Sequence, residues 1–343
     1  MTALSAVPEA PLRPVPWSRL AWVAWRRYRG TLVATVGVLV ALGAFLLVDG
    51  LRMRAAYDNY LSCTPTRSLS CQFAWETFRD GYAQPGLVQV VLMFVPGVVG
   101  VFAGAPVLAR ELETGTYRYT WTQTVGRTRA AVAAIVPGAW GVAVIVAAFG
   151  ILVAWHDQPL ADSGVLPRLR SLVFPASGVA GAGWALAGFA LGVLAGMIWR
   201  RVLPALASGL IAWFGLAFLT ATVLRPRYRS PLTTTSFELA PADVPLDQWW
   251  IKGGVRVTDA DLNSALQAAG LPTLDSGTAT AHPGTAAGID PVQYLVQHDY
   301  SQVTSYQPGG WYWGFQWLEF GWLTVLALLL LAGALRLLAR RTA

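Results

Sequence analysis

Six long apolar runs constrain this chain more than any other feature. They lie near Thr31–Val48, Leu87–Leu108, Ala131–Ala154, Ala176–Ile198, Val202–Leu224 and Tyr312–Leu335. Each reaches the ~18 residues that a helix needs to cross ~30 Å of hydrocarbon. Lipid offers backbone N–H and C=O groups no partner, so a spanning segment must satisfy them inside a helix or a closed barrel. With only 13% charged residues, runs of this length specify the helical solution. The expected fold is an all-α integral membrane protein with six transmembrane helices. The first run follows a leader bearing Arg26, Arg27 and Arg29 with no small-residue cleavage site behind it, so it reads as a retained helix rather than a signal peptide.

Basic residues set the orientation. With the N-terminus inside, the short cytoplasmic segments hold Arg13, Arg19, Arg26, Arg27, Arg29, Arg110, Arg118, Arg127, Arg129, Arg200, Arg201, Arg336, Arg340 and Arg341, opposed only by Glu9, Glu111 and Glu113. The other acidic residues fall outside, mostly in one long loop. The net charge of +7 is then a membrane-orientation signature, and the expected partner is the bilayer, not nucleic acid. A multi-pass plasma-membrane protein with both termini cytoplasmic follows.

The expected organisation has four parts. Residues 1–15 are Pro-rich and expected to be disordered. Residues 16–224 would hold an amphipathic helix and spans one to five, 225–311 an extracellular cap, and 312–343 span six with a cytoplasmic tail. Trp17, Leu20, Ala21, Ala24, Trp25 and Tyr28 recur at helical spacing, with Arg19, Arg26 and Arg29 largely off that stripe. The pattern reads as an in-plane helix on the inner leaflet, with Trp17, Trp25, Arg26 and Arg27 as its anchors. A plain basic flank of span one is the alternative.

Span two carries Pro96, Gly97, Gly100, Gly104 and Pro106 and should be kinked. Span four carries Gly188, Gly192 and Gly196 at four-residue intervals, a row that lets a second helix approach closely, in the same chain or in another copy. The first external loop, Asp49–Gly86, contains the only two cysteines, Cys63 and Cys71. In an oxidising compartment such a pair suits a disulfide, against two idle thiols.

The second external stretch, Arg225–Gly310, should form a small cap with two short helices. Thr258 with Asp261 makes a capping box before Leu262, Leu266 and Ala269, stopped by Gly270 and Pro272. Asp290-Pro291 reads as N-cap and first helical residue ahead of an apolar stripe of Val292, Leu295, Val296 and Val303. Ser276–Gly288 between them should be flexible. Trp311, Tyr312, Trp313, Phe315, Trp317 and Trp322 then form an aromatic belt where span six meets the outer interface.

Several chemistries are excluded. The chain has no Gly-x-x-x-x-Gly-Lys-Ser/Thr loop, and its one lysine, Lys252, follows Trp250-Ile251. His156, His282 and His298 lack metal-ligand spacing and read as solvated loop residues. The first five spans contain no Asp, Glu, Lys or Arg in their interiors, and Glu319 falls near the outer end of span six, where a carboxylate can reach water. Proton-coupled carriers keep ionisable groups inside the membrane, so the energy for any transport should come from elsewhere.

The connector Ala109–Ala130, reading ARELETGTYRYTWTQTVGRTRA, is the candidate functional segment. Arg110, Glu111 and Glu113 can continue span two into the cytoplasm, Gly115 is a natural C-cap, Tyr117–Thr122 can form an amphipathic turn, and Gly126-Arg127 leads into span three. Tyr, Trp and Arg dominate interface hot spots, so the segment suits docking into a groove on a soluble partner. A solvated loop that only fixes topology is the alternative.

These residues resemble the cytoplasmic loop of type-2 ABC exporter permeases, those of actinobacteria in particular. The matching residues are Ala109-Arg110-Glu111-Leu112-Glu113, Gly115-Thr116, Trp121-Thr122-Gln123 and Arg127. The in-plane helix, the six spans, the large loop between spans five and six, and Tyr306-Gln307-Pro308 with Phe315-Gln316 and Glu319 extend the likeness over most of the chain. A proline often present before the arginine turn is replaced by Thr124-Val125-Gly126. The resemblance implies a permease subunit with no ATPase site of its own, paired as a homodimer or with a second permease. ATP and Mg would be bound by separate ABC ATPase subunits. Coupling would fall to Arg110, Glu111, Glu113, Gly115, Thr116, Tyr117, Arg118, Trp121, Arg127 and Arg129. A non-transporting membrane sensor or scaffold that signals through the ATPase is the competing reading.

Overall fold

The structure is a computed structural model that describes residues 16–63, 68–82, 87–115, 127–169, 174–237, 239–273 and 290–341. Expectations for residues 1–15, for 116–126 in the connector and for the 276–288 stretch lie outside the described residues. Six helices among the described residues are long and apolar enough to cross a membrane: Val33–Leu61, Val88–Thr114, Thr128–His156, Ala180–Trp199, Val202–Arg227 and Gly309–Arg340. The chain is an all-α integral membrane protein in this sense. It divides into two compact units, the first formed by residues 1–159, 172–226 and 313–343, the second by 160–171 and 227–312.

Helix α1 (Trp17–Leu61) is followed by α2 (Leu69–Tyr82), α3 (Leu87–Thr114), α4 (Arg127–His156), a short α5 (Gln158–Asp162) at the boundary of the two units, and α6 (Ala180–Trp199) and α7 (Val202–Leu219) of the first unit. Spans one to five correspond to α1, α3, α4, α6 and α7. The stretch read as a separate in-plane helix is continuous with span one, because α1 runs unbroken from Trp17 to Leu61. Gly30 costs a helix only about 1 kcal/mol relative to alanine, and no proline intervenes after Pro16. At 1.5 Å per residue α1 is about 67 Å long, roughly twice the hydrocarbon thickness. It therefore takes up the beginning of what reads as a loop from Asp49, and α2 occupies most of the rest.

Helix α6 is the centre of the unit. Of its apolar window 78% is buried, against 17–28% for spans one, three, five and six. Its Ala/Gly composition explains why: a helix with few large side chains can be surrounded on all sides. Gly188 approaches the Gly97 carbonyl and Gly100, while Gly192 lies against Val101, Gly104 and Ala105, and Gly196 against Ala105 and Ala109. From α3, Gly100 and Gly104 face the carbonyls of Ala185 and Phe189 in return. Small-xxx-small rows thus meet within one chain, which answers the question left open by the α6 glycines. The pairing also shows that α3 and α6 run in the same direction, since Gly97 meets Gly188 and Ala109 meets Gly196. Around this seam an apolar core gathers Leu108, Ile135, Val146, Phe189, Met197, Ala334 and Leu338. A second cluster joins α1, α3 and α4 through Leu39, Leu46, Leu92, Val95, Phe149 and Val153.

The second unit holds β1 (Leu232–Thr234), β2 (Val244–Lys252), β3 (Val255–Val257), α8 (Asp259–Ala268), α9 (Pro291–Gln297) and β4 (Tyr300–Gln307), and α10 (Tyr312–Arg341) then forms span six in the first unit. Its strands make an antiparallel sheet of order β1-β4-β2-β3 that the sequence reading does not contain. Gly253 and Gly254, with φ of +57° and +81°, make the two-residue turn joining β2 to β3. Both expected helices are present. Thr258 Oγ1 accepts the Asp261 N–H at 3.2 Å, and Asp290 Oδ1 accepts the Val292 N–H at 2.9 Å. The second helix is shorter than its apolar stripe suggests: α9 ends at Gln297, Asp299 takes a left-handed φ of 63°, and Val303 belongs to β4. Trp250, Leu262, Leu266, Leu271 and Leu295 fill the core between helices and sheet.

Candidate functional site

The connector is anchored at both described ends. Helix α3 outlasts its apolar run and carries Arg110, Glu111 and Glu113 to its end at Thr114. Gly115 follows with φ +69°, the left-handed conformation a helix-terminating glycine supplies without steric cost. Glu113 has a specific partner: its Oε2 accepts the Val202 N–H at 3.0 Å, at the first residue of α7. Helix α7 needs this, because its own N-cap residue, Arg201, offers no side-chain acceptor and the first-turn N–H groups of a helix lack internal partners. A carboxylate there also meets the positive end of the helix dipole. The α6–α7 joint is only Arg200-Arg201, with Arg200 left-handed at φ 55°.

At the outgoing end α4 begins with Arg127, and the Arg129 guanidinium lies 4.7 Å from the ring centroid of Trp17 at the start of α1. That is cation–π distance. Arg110 is exposed and Glu111 half-buried on the α3 extension. Thr116, Tyr117, Arg118 and Trp121 lie outside the described residues, as do the side chains of Arg127, Trp25 and Arg27. Trp17 is half exposed, and Arg26 sits 5.4 Å from the Trp22 ring one turn before it. The described residues therefore bring Glu113 to span five and Arg129 to the N-terminal helix.

At the end of the unit opposite the connector, two polar clusters contradict the sequence reading. Glu319 does not reach water: it is fully buried. Its Oε1 accepts Arg225 Nε at 2.8 Å, and its Oε2 accepts Arg225 Nη2 at 3.3 Å and Trp184 Nε1 at 2.9 Å. Gln316, one turn earlier on α10 and equally buried, accepts the Ala180 N–H at 2.7 Å, the first amide of α6. The partners come from spans four and five, so no local pattern around Glu319 reveals them.

His156 is likewise buried, not solvated. Its Nδ1 lies 2.9 Å from Asp157 Oδ1 and its Nε2 3.0 Å from Asp49 Oδ2 on α1. Beside it, Arg54 donates to the Trp155 carbonyl at 2.5 Å and stacks 3.9 Å over the Trp155 ring. This cluster ties the far ends of spans one and three. Nearby, Cys63 and Cys71 are bonded, with Cα atoms 5.5 Å apart. Tyr57, Tyr60, Trp75 and Phe78 stack between α1 and α2 beside the bond. Among the described residues no group of three or more His, Cys, Asp or Glu side chains is arranged to hold a metal ion.

A bundle of six spans, a close glycine seam at its centre and a charged connector anchored at both described ends define a polytopic helical membrane protein. The family described as ABC-2 membrane transporter related matches residues 36–225, more than half of the chain. The chain belongs to that family, and is an ABC-2 type permease: the membrane component of an ABC transporter, which lacks the ATPase site and pairs with an ABC ATPase subunit. No curated protein and no solved structure shows significant similarity to it.

Proposed function

We propose that this permease couples ATP hydrolysis by a separate ATPase subunit to export, through the 109–130 connector. The observation that carries the reading is the double anchorage of that connector. Its incoming end is hydrogen-bonded to the start of span five through Glu113, and its outgoing end touches the N-terminal helix through Arg129 and Trp17. A push on the segment between them would be delivered to spans one, two, three and five together. Arg110, Glu111, Gly115, Thr116, Tyr117, Arg118, Trp121 and Arg127 complete the docking surface, with Trp121 and Arg118 as its aromatic and charged contacts. The permease works in the plasma membrane with both termini cytoplasmic, as a homodimer or with a second permease. ATP and Mg belong to the ATPase pair beneath. For ATP to drive the spans, the ATPase must contact the two permease states differently.

The test is co-expression with an ABC ATPase, co-purification, and flux in reconstituted vesicles. Trp121→Ala and Arg118→Glu should release the ATPase or abolish ATP-dependent flux while the permease remains monodisperse. Full transport with native assembly in both variants refutes the docking role. A complex that hydrolyses ATP in response to an external ligand without flux would establish the sensor reading instead.

A further inference from the structure

We propose that the Glu319–Arg225 pair is a lock that holds spans four, five and six closed at the end opposite the connector, and that the transport cycle must open it. The inference rests on the permease reading and adds a site of conformational control.

Three features of the cluster support a lock rather than a simple brace. First, all three helices meet on two side chains one turn apart. Glu319 holds Arg225 from the end of span five and the Trp184 indole from span four, while Gln316 holds the first amide of span four. The Gln316 amide also reaches the Phe174 carbonyl at 3.4 Å, and the Arg225 guanidinium lies 4.0 Å from the Phe174 ring, so the segment leading into span four is included. Second, the end near the connector has a different composition, since Met197 of span four and Ala334 and Leu338 of span six meet there as apolar contacts. A buried ion pair at one end, set against apolar contacts at the other, lets the paired end open about the apolar one.

Third, Arg225 is mounted where the winding of the backbone changes. Span five leaves α-helical geometry at Thr220–Leu224, a π turn, and continues as a 3-10 turn at Arg225–Arg227. A π turn closes its hydrogen bonds over one residue more than an α turn, and such turns recur at functional sites. Rewinding it to α would rotate Arg225 by roughly 100° and move it by roughly 1.5 Å along the axis, which re-aims the guanidinium relative to the carboxylate. A buried ion pair is also a poor choice for stability alone, because apolar side chains of similar volume usually hold a core as well. Broken, it leaves a carboxylate that requires water. Its side chain is fully buried while Arg225 retains slight exposure, so water would enter along Arg225. Opening is then close to all-or-none.

The test uses Ser177→Cys as a reporter. Ser177 is buried beside Gln316, 3.5 Å from its Nε2, and the two native cysteines are bonded to each other. In the permease–ATPase complex in nanodiscs, a charged, membrane-impermeant maleimide should label the reporter slowly without ATP. Adding Glu319→Gln should raise labelling by roughly tenfold or more in the absence of ATP, because only one member of a buried pair is neutralised. The exchange Arg225→Glu with Glu319→Arg should restore protection. On the parental reporter, ATP with vanadate should raise labelling. Labelling unchanged by Glu319→Gln overturns the lock, as does an ATPase-bound parent whose labelling ignores ATP. Failure of any ABC ATPase to bind the permease would instead refute the functional reading, while the Glu319→Gln result on the permease alone still decides the lock.

Discussion

The glycine seam between α3 and α6 makes a quantitative prediction. A Cβ built on Gly192 would lie 2.7 Å from the Ala105 nitrogen and 2.8 Å from the Val101 carbonyl oxygen. At Gly104 it would fall among the backbone atoms of Phe189. These neighbours are main chain, so relief requires the helices to part by about 0.7 Å at Gly192, and by more at Gly104, to regain ordinary contact, and such a gap forfeits a quarter to a half of each dispersion contact of ~0.1–0.2 kcal/mol. Over some tens of contacting atom pairs the loss is about 1–3 kcal/mol, the usual range for overpacking. The helix-propensity gain of alanine over glycine, about 1 kcal/mol, offsets part of it. Gly192→Ala and Gly104→Ala should therefore each destabilise by about 1–2 kcal/mol, or about 3–6 °C in melting temperature for a unit of this size. Gly215 and Gly321 have nothing within 4 Å of an added Cβ. Gly215→Ala and Gly321→Ala are the matched controls and should not lower it. The assay is intrinsic-fluorescence thermal unfolding of all four variants in one detergent. Melting of Gly192→Ala and Gly104→Ala within about 1 °C of the parent would refute close approach at this seam, on the same scaling.

Other consequences can be checked directly. Freshly purified, non-reduced protein should resist alkylation at Cys63 and Cys71; releasing the eight-residue loop by Cys63→Ser should cost about 2.5 kcal/mol on the chain-entropy account, and full alkylation of both thiols would contradict the bond. In the second unit, Thr258→Ala and Asp290→Ala each remove a cap acceptor. Each should cost about 1 kcal/mol and speed hydrogen exchange of the capped amide by about fivefold, with unchanged exchange at the Asp261 and Val292 amides counting against the caps.

Hydrophobic runs and helix caps are local signals, so the six spans and the Thr258 and Asp290 starts were legible in sequence. The β2–β3 hairpin carried a local signal that the expected two-helix cap left out, since Trp249–Lys252 and Val255–Val257 flank a Gly-Gly pair of the kind a tight turn demands. Strand β4 had no such signal: its partners on β2 are some fifty residues earlier in the chain, and Val303 continued a plausible helical stripe. The glycines of α3 and α6 each announced a close approach, yet neither row names its partner. The α1 boundary was misplaced because a change in composition near Gly30 does not require a change in backbone.

The charged clusters were missed for a more general reason. Hydropathy treats a carboxylate near the end of a span as one that reaches water, and this holds only when no cation is available nearer. Glu319 has Arg225, which comes from 94 residues away, and Asp49 has His156 from 107 residues away. Both pairs sit at the end opposite the connector, whereas the contacts described at the connector end include the exposed cap from Glu113 to Val202, the Arg129–Trp17 contact, the apolar packing of Met197, Ala334 and Leu338, and the α3–α6 seam. Buried ionic ties resist small displacements and fail abruptly, because each half needs the other or water. Apolar seams between small residues slide at lower cost but resist separation. A bundle with the first kind of contact at one end and the second along its length is stiff at rest near Glu319 and His156, and any opening there must replace protein partners with solvent in a single step.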